Sequence, residues 1–165
     1  MEMVKAEKAV AANRKASVEE KQEIIEYTQY IVIQLGNEQY GIDIQYIENI
    51  VRMQHITRVP KVSSYLKGVI NLRGEVIPVM SIRLKMSLPE DSIGKNTRII
   101  ILKLEQQGSV GIIVDAVKEV VTLNNTQIEK VAYDSKEEKQ NFINGIGKYE
   151  RGLISLLDLN SVTLE

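Results

Sequence analysis

From Tyr27 onward the chain alternates short apolar runs with brief polar breaks; the runs are rich in β-branched residues and too short for ordinary helices. The clearest pair is Lys67-Gly68-Val69-Ile70-Asn71-Leu72 and Glu75-Val76-Ile77-Pro78-Val79, separated by Arg73-Gly74. This pattern predicts a β-hairpin, with Gly74 supplying the positive φ that a tight turn needs and Arg73 beside the turn. Pro78 cannot donate to a ladder, so it is expected at an edge or at a strand's end. Upstream, residues 30–35 and 39–43 read as a strand pair around Gly36-Asn37-Glu38. Ile44, Ile47, Ile50 and Val51 then recur at helical spacing, which predicts one or two turns of amphipathic helix capped by Asp43. Residues 56–59 read as a strand stopped by Pro60.

Downstream, Arg83-Leu84-Lys85-Met86 reads as one helical turn and residues 89–95 as a loop. Residues 98–104 and 110–115 form a second hairpin, 117–123 a further strand, and 134–141 a polar loop. Residues 142–148 and 153–157 form a last hairpin across Tyr149-Glu150-Arg151-Gly152, and a short helix follows Asp158. At the other end, residues 1–16 read as a disordered tail, and Ser17-Val18-Glu19-Glu20 has capping-box spacing for a thinly apolar helix over 18–26. The organisation is therefore a tail over residues 1–26 and a folded domain over 27–165. About nine or ten short strands, with no alternation with long helices, predict a mainly all-β fold of barrel or sandwich type. The two halves share only glycine-turn hairpins and one short helical segment each.

Composition sharpens this picture. Apolar residues make up 44% of the chain but aromatic residues only 5%, so the core must be built from Ile, Val and Leu, which favours sheet. The 165 residues suffice for one good-sized domain or two small ones sharing a core. The net charge of −1, with no basic stripe carrying aromatics, gives no reason to expect nucleic acid or an anionic membrane as partner. Cysteine is absent, which excludes disulfides, thiolate metal sites and a cysteine nucleophile, and His55 is the single histidine. No apolar run nears the roughly 18 residues that span a bilayer, and the N-terminus lacks the apolar centre of a signal peptide. A soluble, intracellular protein is expected.

Candidate chemistry is sparse. Phosphate-binding glycine loops and the Gly-x-Ser-x-Gly elbow are missing. Glu19, Glu20, Glu137 and Glu138 lie in solvated runs. Asp43 and Asp115 each end an apolar strand, where a cap or turn residue is the plain reading, and His55 reads as a surface residue beside a strand. No catalytic residue, metal site or cofactor is expected. Binding remains. Arg73 either pairs with Glu75 and closes its turn, or offers its guanidinium to a partner's carboxylate or carbonyl. Ile44 and Ile47 share one face, either as core or as an apolar patch for a partner helix.

Several stretches together resemble the CheW family of bacterial chemotaxis adaptors. They are Gln39-Tyr40-Gly41-Ile42-Asp43-Ile44, Ile56-Thr57-Arg58-Val59-Pro60, Lys67-Gly68-Val69-Ile70-Asn71-Leu72-Arg73-Gly74 with Ile77-Pro78-Val79, and Val110-Gly111-Ile112-Ile113-Val114-Asp115. They fall in the family's order over about residues 28–162, and Gly-Val-Ile-Asn-Leu-Arg-Gly is the most specific of them. The resemblance implies two five-stranded SH3-like β-barrel subdomains packed on a shared hydrophobic core, with no catalytic activity and no cofactor. It implies an adaptor that couples methyl-accepting chemoreceptors, through their cytoplasmic tip, to the regulatory domain of the histidine kinase CheA. The protein would then be cytoplasmic, recruited to receptor arrays at the inner face of the membrane, and not inserted in it. By position, Ile31, Ile44, Ile47 and Val117 match the family's receptor-binding places. Ile47, Glu48, Asn49, Gly68 and Arg73 match its kinase or signalling surface. Many relatives carry Glu where this chain has Asn49, with Glu48 one position earlier, so a charged kinase contact at that place is not carried over.

Two other classes compete. A small-ligand sensor or enzyme in the groove between barrels would need Asp43, Asp115 or His55 to converge. A regulatory domain of a larger two-component protein would need a further domain, and none is expected beyond Glu165.

Overall fold

The computed structural model describes residues 24–105, 107–131 and 142–163. The described strands are β1 (Tyr27–Leu35), β2 (Glu38–Asp43), β3 (Ile47–Arg52), β4 (Leu66–Leu72), β5 (Glu75–Ser81), β6 (Arg98–Leu104), β7 (Gly108–Val114), β8 (Ala116–Asn124), β9 (Ile128–Lys130), β10 (Ile143–Tyr149) and β11 (Gly152–Leu157). Two short helices follow β5 and β11, α1 (Ile82–Lys85) and α2 (Leu159–Thr163), and 3₁₀ turns stand at Ile44–Tyr46 and Asn125–Gln127. None of the described helices is long and apolar enough to cross a membrane. The tail over residues 1–23 and the polar loop over 134–141 lie outside the described residues. Residues 24–26 are not helical; Glu26 and Ile24 are instead tied by hydrogen bonds to Asn125.

The strands form two sheets, as the all-β, two-subdomain expectation requires. One runs β8-β1-β2-β11-β10-β9 and the other β3-β6-β7-β5-β4. The sixth strand of the first sheet, β9, has three residues and one apolar position, too little to be read from the sequence. Ile31, Ile33, Leu35, Tyr40 and Ile42 of the first sheet and Ile100, Leu102, Leu104, Ile112 and Val114 of the second bury together in one shared core. Ile70, Ile77, Val79, Ile99, Ile101 and Ile113 form a second core inside the five-stranded sheet, and Val32, Leu123, Ile154 and Leu156 a third inside the six-stranded one. Strand periodicity explains the partition. Successive side chains of β6 point to opposite faces, so Ile99 and Ile101 fill one core while Ile100 and Leu102 fill another. A strand buried on both faces reads as an unbroken apolar run, which is what residues 98–104 show.

Two expected elements differ. The helix over residues 44–51 is only a 3₁₀ turn, after which the chain pairs as β3 with β6. The helical spacing has a strand cause. A bulge between Ile47 and Asn49 adds one residue, so Ile47 and Ile50 stand opposite Leu102 and Ile100 and share the face toward the common core. Asp43 does cap the turn, accepting from the Gln45 backbone N–H at 3.0 Å. The strand over residues 56–59 is reduced to a single bridge, Thr57 to Val69, held by two backbone hydrogen bonds of 2.8 Å, and Pro60 ends it by withholding an N–H.

The registers reveal a closer internal repeat than the sequence suggests. Each sheet contains a hairpin joined in parallel to a second hairpin, β7 to β5 and β2 to β11, and in both pairs the contact pairs a glycine, Gly111 with Val79 and Gly41 with Leu156. Aligning these glycines makes Ile47 equivalent to Val117, Gly68 to Gly145, and Ser81 to Asp158. Ser81 and Asp158 both cap the following helix by accepting from the backbone N–H three residues on. The chain order differs. The five-stranded sheet uses β3 to β7 in sequence, whereas the other is completed by β1 and β2 from the opposite end of the chain.

Asp115, at the junction of β7 and β8, ties the two sheets. Its carboxylate accepts two hydrogen bonds from Arg83 of α1, one of 2.9 Å from Nε, and one of 2.8 Å from the Gly36 N–H in the β1–β2 turn. Partial burial pushes the Asp115 carboxyl up, but the hydrogen bonds from Arg83 and Gly36 and the Arg83 charge outweigh it and hold the group below the usual carboxylate range. A depressed pKa stabilises the fold above the unfolded value of about 3.9, and that stabilisation is lost as the pH falls through the folded value. Asp115→Asn should therefore cost about 2 kcal/mol at neutral pH. The gap between wild type and variant in urea melts should close between about pH 5 and about pH 2.

Candidate interaction surface

The candidate receptor-facing residues lie at different depths around the shared core. Ile44 leads the 3₁₀ turn and is 36% exposed. That turn packs against β1 and β6. Ile47 opens β3 and Val117 lies near the start of β8; both are half-buried and pack on the shared core from its two sheets. Ile31 is different. At 6% exposure, mid-strand in β1 between Ile42 and Val120, it is part of the core itself. It can support the surface but offers little of itself to a partner. Val120, its cross-strand neighbour, is 52% exposed, an aliphatic residue that the sequence reading passed over. Its signal was a bulge equivalent to the one in β3, which puts Val117 and Val120 opposite Ile33 and Ile31.

The central hairpin supplies the second group. Arg73 and Gly74 form its two-residue loop with φ of 54° and 85°, both left-handed as a type I′ turn requires. The Gly74 N–H donates to Asn71 Oδ1 at 3.0 Å. Arg73 is exposed and forms no ion pair among the described residues, so pairing with Glu75 does not close the turn. Gly68 is buried at φ 144°, where a Cβ would stand 2.1 Å from the Thr57 carbonyl oxygen. Only glycine lets the 56–57 segment lie on β4. Gly68 therefore shapes the surface from within. Glu48 is exposed and accepts from Ser109 Oγ at 3.0 Å, while Asn49 Oδ1 accepts from the Ile50 N–H at 2.9 Å.

The three residues that a small-ligand or acid–base site would need do not converge. Asp43 caps the 3₁₀ turn, Asp115 is engaged by Arg83 and Gly36, and His55 is exposed on the segment after β3. No group of carboxylates and histidine able to hold a metal ion occurs among the described residues.

The structure is thus an all-β fold of two sheets sharing one core, with Ile44 and Val120 exposed and an exposed Arg73 that forms no ion pair among the described residues. Comparison with known proteins gives the class a name: the CheW-like domain family matches residues 29–164, and the chain belongs to that family. The chemotaxis protein CheW of Bacillus subtilis (strain 168) is 37% identical over 132 residues, 80% of this chain and 84% of that protein. That of Helicobacter pylori (strain ATCC 700392 / 26695) is 31% identical over 156 residues, 94% of this chain and 92% of the other. The crystal structure of the scaffolding protein TtCheW from Thermoanaerobacter tengcongensis superposes with a TM-score of 0.75 at 31% identity, covering 83% of this chain and 92% of that one.

The different depths of Ile31 and Ile44 give a stability test. Ile31→Asp should lose roughly 4 kcal/mol or fail to fold, because it buries an unpaired charge. Ile44→Asp should stay within about 1 kcal/mol of wild type. Urea denaturation followed by circular dichroism measures both.

Proposed function

We propose that the chain is a non-enzymatic chemotaxis scaffold that couples the cytoplasmic tips of methyl-accepting chemoreceptors to the regulatory domain of the histidine kinase CheA. The observation that carries this reading is that Ile47 and Val117 pack half-buried on the core that the two sheets share, while Ile44 and Val120, on the turn before β3 and on β8, are exposed. A receptor tip is helical, and an amphipathic helix docks its apolar face onto such aliphatic side chains. Ile31 acts from below, as the floor that keeps Val120 in place.

The kinase takes the other surface. Arg73, exposed on its turn and without an ion pair among the described residues, gives a directional contact through its forked guanidinium. Gly68 fixes the hairpin that carries it, and Glu48 and Asn49 lie beside Ile47 on β3, the other edge strand of that sheet. Affinity from a few aliphatic anchors and a polar rim is modest for each contact. Repetition in an array multiplies it, so recruitment to receptor clusters at the inner face of the membrane follows from avidity and needs no anchor in this chain.

Co-sedimentation with receptor-bearing membranes and the kinase, scored by kinase activation, tests the reading. Ile47→Asp should cut receptor capture and Arg73→Ala kinase capture by about tenfold or more, equivalent to at least ~1.4 kcal/mol, with unchanged circular dichroism. Retention of both partners by both variants would refute the assigned surfaces.

A further inference from the structure

One stretch of the five-stranded subdomain carries charge of a single sign. From Asn49 to Gly74 the chain holds Arg52, Arg58, Lys61, Lys67 and Arg73 and no carboxylate, in a protein whose net charge is −1. The fold gathers three of these cations. The Thr57–Val69 bridge lays the segment after β3 along β4, and Arg58 and Lys67 line the same hollow. The chain turns at Pro60, and Lys61 follows with a left-handed φ of 59°, a conformation that glycine or asparagine takes more easily. Arg58, Val59, Lys61, Val62, Ser64 and Lys67 are among the residues around this hollow of about 440 Å³. Arg58 and Lys61 are exposed and form no ion pair among the described residues. Val59 and Val62, 38% and 40% exposed, set aliphatic surface beside the cations.

A carboxylate of the chain itself shows what these cations take. Glu90, on the loop after α1, places Oε1 2.6 Å from Lys67 Nζ, beside a neighbouring hollow of about 330 Å³ that shares Arg58, Ser64 and Lys67 with the first. The hydrogen bond and charge of Lys67, with a smaller part from the Arg58 charge, outweigh desolvation and hold the Glu90 carboxyl below the usual carboxylate range. The residues on either side of Glu90 are tied elsewhere. The Pro89 carbonyl accepts from Arg83 Nη1 at 3.2 Å, and Asp91 accepts from the Ser81 hydroxyl. The Glu90 side chain itself is 67% exposed, so it can swing off Lys67 while the loop stays in place. One glutamate facing three cations leaves an excess of positive charge at this place.

We propose that Arg58, Lys61 and Lys67 form a docking site for an acidic peptide segment of a partner protein, with Glu90 as a resident carboxylate that the partner's carboxylates displace. Charge complementarity selects this occupant, and the two valines suit a segment in which aliphatic residues alternate with the acidic ones. An anionic lipid surface fits less well, because the exposed Glu90 would face its headgroups. The site is also distinct from the Arg73 turn. Lys67 and Arg73 stand six residues apart at opposite ends of β4, ~20 Å along an extended strand. It is therefore a surface additional to those assigned to the receptor and the kinase.

Fluorescence anisotropy of a labelled peptide of repeated Glu-Glu-Val, titrated with the full chain at low salt, tests this; a Lys-Lys-Val peptide serves as control. The acidic peptide should bind, the basic one should not, and added salt should weaken the complex. Arg58→Ala and Lys61→Ala, both at exposed positions, should each weaken binding by roughly three- to fivefold. Glu90→Gln should tighten it by a similar factor, whereas Glu129→Gln on β9 leaves it unchanged. Failure of the acidic peptide to bind overturns the proposal, as does equal tightening by Glu90→Gln and Glu129→Gln, which would reduce the effect to overall charge. Sedimentation with phosphatidylglycerol vesicles, lost in Arg58→Ala and seen in place of peptide binding, also overturns it and makes a lipid surface the occupant.

Discussion

Among the described strands, β1, β6 and β7 carry buried residues on both faces, and the two sheets are arranged around them. β1, β6 and β7 each send alternate residues into the common core and the remainder into the core of their own sheet. Each fully buried isoleucine or leucine contributes on the order of 2 kcal/mol relative to exposure. More important than the sum is the sharing. Ile100 cannot leave the common core without withdrawing Ile99 and Ile101 from theirs, so the subdomains cannot shift independently. Ile47 and Val117, which rest on that core from opposite sheets, are therefore held in a fixed relation. A surface that docks partners needs this rigidity, because ordering loose elements on binding would consume the small affinity that a few aliphatic contacts supply.

The permuted order of the strands follows the same logic. The β1–β2 hairpin completes the sheet that otherwise comes from the C-terminal part of the chain, so the six-stranded sheet closes only when both ends of the sequence are present. Such pairing is highly non-local and is entropically the last to be rewarded. Asp115 reinforces that junction, since one carboxylate gathers the β1–β2 turn through Gly36 and α1 of the other subdomain through Arg83.

Much of this was legible from the residues. The hairpins over residues 67–79, 98–115 and 142–157 were readable because each has β-branched runs and a glycine-bearing break, and local chemistry decides such elements. The helical spacing of Ile44, Ile47 and Ile50 misled because a bulge adds one residue to a strand and converts its period of two into a step of three. Nothing in a single strand's sequence distinguishes that step from a helical one; the partner strand β6 makes the difference. The exposure of Val120 escaped for the same reason, and Ile31 looked available only because a resemblance carries positions and not depths. Asp115 was recognised as a strand-end residue, but its partner Arg83 lies thirty-two residues away on another element, beyond any local pattern.

The repeat also accounts for the state of Arg73. Each subdomain has a two-residue hairpin loop containing an arginine, Arg73-Gly74 in one and Glu150-Arg151 in the other. Arg151 is tied down, with Nη1 3.0 Å from Glu119 on β8. The registers make Glu119 the counterpart of Asn49 on β3. Where one subdomain has a carboxylate to hold its loop arginine, the other has an amide, and that amide is already accepting from the Ile50 N–H. An exposed ion pair of this kind contributes at most about 1 kcal/mol, so its absence costs the fold little. It leaves an exposed guanidinium on a tight turn, with no ion pair among the described residues. The place that Asn49 holds on β3 is thus the place whose counterpart in the sister subdomain, Glu119, keeps the loop arginine occupied.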